Sequence, residues 1–163
     1  MTVLETAEWT RTAVDLLRTA PAAAVEVFTC LLIRGPMSRV DIARSTGLSQ
    51  GGVTRAAAPL IAGGLVADAQ RGHSGGQPGR PASPLRVVPD ALLTLGIKIN
   101  GDELVAVATD LLTRTRARAV EPLENTALET VLAGVEAVVV QLSDALGSDA
   151  ERLIGVGVAV SGD

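Results

Sequence analysis

Residues 36–66 read PMSRVDIARSTGLSQGGVTRAAAPLIAGGLV, and how this stretch divides decides the fold. Pro36 closes an apolar helical run, and Ser38 stands where an N-cap belongs. Asp41, three residues on, is the partner a capping box needs. Ile42 and Ala43 give this helix an inward face before Thr46-Gly47 ends it. Ser49 then caps a second helix, whose Val53, Ala57 and Leu60 fall three or four apart on one side. Two short helices joined by a glycine-containing turn are the build of a helix-turn-helix, whose second helix lies in the major groove of DNA. The candidate DNA contacts are Ser49, Gln50, Gly51, Gly52, Thr54 and Arg55 on the second helix, with Ser38 and Arg39 at the start of the first. They are small, hydrogen-bonding or cationic, and none is acidic. A helical hairpin that only packs a core fits the same pattern.

The flanks extend this reading in both directions. Residues 1–21 form a polar helical lead-in with Leu4, Val14 and Leu17 as scattered apolar positions. Pro21 suits a first helical turn, and the spacing predicts a helix over 22–34 with Val25, Phe28, Leu31 and Leu32 turned inward. Pro59 removes a backbone donor late in the third helix, past the turns where bases would be read. Beyond Gly63-Gly64, strand-like runs at 65–70 and 85–88 flank RGHSGGQPGRPASP, a segment too rich in Gly, Pro and Ser for helix or strand. That is the layout of a wing, a β-hairpin reaching beside the groove, with Arg71, Arg80 and Arg86 as candidate phosphate contacts. An interdomain linker with incidental charges is the competing reading. His73, the only histidine, has no Cys or second His near it in sequence, so no metal site is expected.

Charge is divided along the chain in the same sense. Between residues 34 and 86 seven arginines face only Asp41 and Asp68, a net of +5, whereas residues 91–163 carry five cations and eleven carboxylates, a net of −6. A basic front and an acidic back suit a protein whose first part meets phosphates. With one Phe, one Trp and no Tyr, the core must be filled by Val, Leu, Ile and Ala. No apolar stretch is read as a membrane span, and no secretory leader is read at the N-terminus. Cys30, the single cysteine, is read as a small core residue, which agrees with a cytoplasmic setting.

After Pro89-Asp90 the periodicity changes. The runs 94–99, 104–109 and 116–120 predict three consecutive antiparallel strands. Residues 126–147 predict the strongest helix, with Thr126 and Glu129 as a capping box and an apolar stripe from Leu128 through Val131, Leu132, Val135, Val138, Val139 and Leu142 to Leu146. Residues 153–160 are almost wholly apolar and predict a strand of a mixed sheet covered on both faces. The fold class is thus α+β in two domains. A winged helix-turn-helix at 22–90 is followed at 91–163 by the opening of a ribonuclease-H-like, actin-type lobe.

Three segments carry a resemblance: SRVDIARSTGLSQGGVTRAAAPLIAGGLV at 38–66, GQPGRPASPLRVVPDALLTLGIKING at 76–101, and LIGVGVAVSGD at 153–163. In this order the chain resembles the ROK family of transcriptional regulators and sugar kinases. The resemblance implies a DNA-binding regulator, a sugar-responsive repressor, acting on double-stranded DNA. It implies a truncated form that lacks most of the effector domain. A sugar effector and a homodimer would belong to the full-length form and not to this chain alone. Kinase members carry a pattern like G-I-D-I-G-G-T-K at the first strand and turn; here the stretch is Gly96-Ile97-Lys98-Ile99-Asn100-Gly101-Asp102-Glu103. Lys98 replaces the acidic position and two carboxylates replace the Thr-Lys pair, so no nucleotide, cofactor or catalytic residue is expected. A fragment of a sugar kinase and a winged-helix protein-interaction module are the alternatives.

Overall fold

A computed structural model describes residues 8–68 and 83–161. The chain is α+β, and its described residues contain five α-helices, a two-stranded pair and a mixed four-stranded sheet. They divide into two compact units. One is Arg11–Pro89; the other takes the described residues up to Thr10 together with those from Asp90 onward.

The first unit holds most of α1 (Glu8–Thr19), then α2 (Ala22–Arg34), α3 (Arg39–Thr46), α4 (Gln50–Ala62), β1 (Val66–Asp68) and β2 (Leu85–Val87). Its core is aliphatic. Val27, Leu31, Ile42, Val53, Ala57, Leu60, Leu65 and Leu85 are fully buried. The inward face of α2 is Ala24, Val27, Phe28 and Leu31, while Val25 lies on the exposed side. That corrects the expected face by part of a turn. The run AAAVEVFTCLLIR is apolar nearly all round, so spacing alone does not orient it. Cys30 is half-buried, its thiol 3.7 Å from the Met37 sulfur. β1 and β2 pair antiparallel, Val66 opposite Val87 and Asp68 opposite Leu85. Met37 adds a short third rung: its N–H donates to the Leu85 carbonyl (2.9 Å) and its carbonyl accepts from Leu85 N–H (2.8 Å). The expected wing segment 71–84 lies largely outside the described residues.

In the second unit the sheet runs β5 (Thr115–Pro122), β4 (Glu103–Asp110), β3 (Leu93–Ile99), β6 (Leu153–Val160). β3, β4 and β5 are antiparallel neighbours, and β6 joins β3 in parallel. α5 (Leu128–Leu146) lies across β4 and β5, where Val138 and Leu142 meet Leu104, Ala106, Ala119 and Leu123. Gly134 permits this approach, since a Cβ there would sit 2.5 Å from Leu104 Cδ1.

Four expectations for this unit need correction. Thr126 does not cap α5: the N-cap position is Ala127, and Asn125 Oδ1 accepts from Ala127 N–H and from the Thr130 hydroxyl, both at 2.9 Å. Leu128 and Leu132, counted in the inward stripe, are exposed because the helix axis turns Gly134, Val138 and Leu142 to the sheet instead. β6 is not covered on both faces. It is the sheet edge among the described residues, and Ile154, Val156, Val158 and Val160 are exposed. The run Leu128–Arg152 is also long and apolar enough, by length and composition alone, to cross a membrane, contrary to the sequence expectation. Its inner face is engaged by the sheet, as in the core helix of an α/β layer.

Candidate nucleic-acid interface

The strongest candidate surface is built on α3 and α4. α3 starts at Ser38, whose Oγ accepts from Asp41 N–H (3.1 Å) and donates to the Asp41 carboxylate (2.6 Å). Gly47 ends it at φ +74, a left-handed conformation that suits a residue without a Cβ. One residue, Leu48, separates Gly47 from the next cap. Ser49 Oγ accepts from Gly52 N–H (3.0 Å), so α4 begins at a fixed place and direction. Both caps are those read from the sequence.

α4 then has two different sides. Val53, Ala56, Ala57 and Leu60 are buried, whereas Gln50, Gly51, Thr54 and Arg55 are exposed. Thr54 donates its hydroxyl to the Gln50 carbonyl (3.0 Å), which holds its side chain against the helix. Arg55 Nη1 lies 3.6 Å from where a Gly51 Cβ would be, so the guanidinium reaches back over the first turn. Arg55 makes no ion pair among the described residues. Gly52 is tighter, a Cβ there lying 3.3 Å from Ser49 Oγ. The helix continues through Pro59 to Ala62, where Gly63 N–H donates to the Pro59 carbonyl (2.9 Å).

The other candidate residues are differently placed. The Ser38 hydroxyl is engaged in its cap. Arg39 is directed to the strand pair, its Nη1 3.2 Å from Asp68 Oδ1 and 3.4 Å from the Ser83 carbonyl. Arg86 is exposed on β2, opposite Ala67. Arg71, Arg80 and His73 lie outside the described residues. Arg34 and Arg44 were not singled out from sequence. Both are exposed, Arg34 donating to Ser45 Oγ (3.3 Å) and Arg44 pairing with Asp41 (3.1 Å). Their excess in the basic segment was the only signal for them.

Elsewhere the geometry offers less chemistry. Among the described residues no group of three His, Cys, Asp or Glu side chains is arranged to hold a metal. An open apolar hollow of about 300 Å³ lies beside Ile99, Asn100, Leu128, Val131 and Val160. The β3–β4 turn next to it is closed by Asn100 N–H donating to the Glu103 carbonyl (2.9 Å), with exposed Asp102 at its tip.

Comparison with known proteins bears on this arrangement. No family model matches the chain. A solved ROK family transcriptional regulator, described as a homologue of the E. coli MLC protein, superposes with a TM-score of 0.63 over 92% of this chain and 36% of its own, at 17% identity. The fold is similar to that of this regulator over about a third of the regulator's length. Curated transcriptional regulators of Mycobacterium tuberculosis and Mycobacterium bovis are 38% identical over 99 residues, 61% of this chain. The chain spans 23% of the length of these curated relatives.

Proposed function

We propose that this chain is the DNA-binding part, with the opening of the effector lobe, of a ROK-type transcriptional regulator. In this reading Arg11–Pro89 is a winged helix-turn-helix, α4 enters the major groove, and β1 with β2 forms the base of the wing. Residues 91–163 begin a ribonuclease-H-like lobe, and the whole protein acts in the cytoplasm as a sugar-responsive homodimeric repressor. The observation that carries the reading is the exposed front of α4. Gln50, Gly51, Thr54 and Arg55 stand on a firmly capped helix, with a long cation that no carboxylate among the described residues neutralises. Gln pairs bidentately with adenine and Arg with guanine in the major groove. The N-terminal end of α4, where the Ser49 cap already takes Gly52 N–H, still turns the positive end of the helix dipole toward a phosphate. The names of the curated relatives, transcriptional regulators, support the same class.

Selection from random double-stranded DNA with the purified chain tests the proposal. Enrichment of one short motif, lost on replacing Gln50 and Arg55 together, is the expected result. An unenriched pool, or a motif indifferent to both replacements, would refute it.

A further inference from the structure

We infer that Arg39 is a positioning residue, tying the base of the β1–β2 pair to the start of α3 and so fixing that pair beside the recognition helix. The inference rests on the DNA-binding reading and assigns Arg39 a role other than a phosphate contact. One guanidinium nitrogen reaches two acceptors: Asp68 Oδ1 at the end of β1 (3.2 Å) and the Ser83 carbonyl just before β2 (3.4 Å). Arg39 thereby joins two points of the chain that sequence separates, on the same side where Met37 and Leu85 exchange backbone hydrogen bonds. Its side chain is 24% exposed, against 76% for Arg44, the next cation on α3. A phosphate contact needs a cation presented to solvent, and Arg39 is the more withdrawn of the two.

Asp68 makes the two roles distinguishable by sign. It is a carboxylate on the basic unit, and by charge alone its removal strengthens attraction to phosphates and also frees Arg39 to join them. If its task is to hold Arg39, its removal weakens binding instead. The test uses the full 163-residue chain and the DNA motif recovered by selection. Asp68→Asn and Arg39→Ala are each expected to lower affinity about two- to fivefold, the range of a partly exposed ion pair. The double variant should be no weaker than Arg39→Ala, because both changes break one link. Asp68→Glu should bind as the parent does, and the salt slope of Asp68→Asn should be unchanged.

Tighter binding by Asp68→Asn, with a salt slope reduced by about one unit in Arg39→Ala, would overturn the inference and make Arg39 a phosphate contact. Amide hydrogen exchange at Ala67 and Arg86, the hydrogen-bonded pair of the β1–β2 ladder, and at Leu85, which donates to the Met37 carbonyl, gives a readout that needs no DNA. Faster exchange in both single variants and parental exchange in Asp68→Glu support the positioning role; unchanged exchange in all of them refutes it. Absence of DNA binding by the parent chain would refute the functional reading, while the exchange measurement still judges the link.

Discussion

Gly134→Ala sets two effects of known sign against each other. Alanine in a helix interior is favoured over glycine by about 1 kcal/mol, so on an exposed helix face the change would stabilise. At this position the new methyl would lie 2.5 Å from Leu104 Cδ1 and 3.2 Å from Leu123 Cδ2. Leu104 is fully buried and Leu123 nearly so. Ordinary contact requires Leu104 to retreat by about an ångström into a packed layer, and overpacking of that kind costs about 1–3 kcal/mol. The net expectation is a loss of about 0–2 kcal/mol in the sheet unit. Ala133→Gly, one residue earlier on the exposed side, isolates the propensity effect and should lose about 1 kcal/mol. Urea unfolding followed by a probe of the sheet unit measures both, since two units need not unfold together. A gain of about 1 kcal/mol for Gly134→Ala would show that α5 does not approach β4 as closely as described.

Three further outcomes follow from the same structure. Ser49→Asp keeps an N-cap acceptor for Gly52 N–H, so thermal stability should hold, but a carboxylate at the front of α4 should sharply weaken DNA binding. Gly51→Ala should raise stability by up to about 1 kcal/mol, since its Cβ meets only Arg55 Nη1 at 3.6 Å, and a binding assay should show lowered affinity if backbone approach to DNA needs the space. Asp110→Ala removes the acceptor for Leu112 N–H (2.9 Å) and Arg114 N–H (3.0 Å) at a nearly buried turn, and denaturation should record a loss of about 1–3 kcal/mol.

Local chemistry was the legible part of this sequence. Ser38, Gly47 and Ser49 announce their roles because caps and left-handed turns depend on a few adjacent residues. The strand trio is equally plain, because alternation over eight residues with short turns admits few other arrangements. What a segment packs against was harder to read. Leu153–Val160 is apolar enough to be covered twice, yet composition reports what a strand is able to bury, not what lies over it. The uniform apolarity of α2 and the outward Leu128 and Leu132 of α5 have the same origin. Asn125 displaced Thr126 as the acceptor at α5 because several hydrogen-bonding residues cluster within two positions of its start. In the candidate site, residue types on α4 were readable and their exposure followed from the buried Val53, Ala57 and Leu60. The partners of Arg39 were not, as Asp68 and Ser83 lie 29 and 44 residues away.

The most direct test is a titration of the selected DNA and of an unrelated duplex, at about 50 and about 200 mM salt, with the parent chain and Arg55→Ala. Binding by the parent is expected to weaken steeply with salt. Arg55→Ala should lose about 1–3 kcal/mol on the selected duplex and little on the unrelated one. Binding that ignores salt, or an Arg55→Ala protein that recognises the selected sequence as well as the parent does, would contradict DNA recognition through α4.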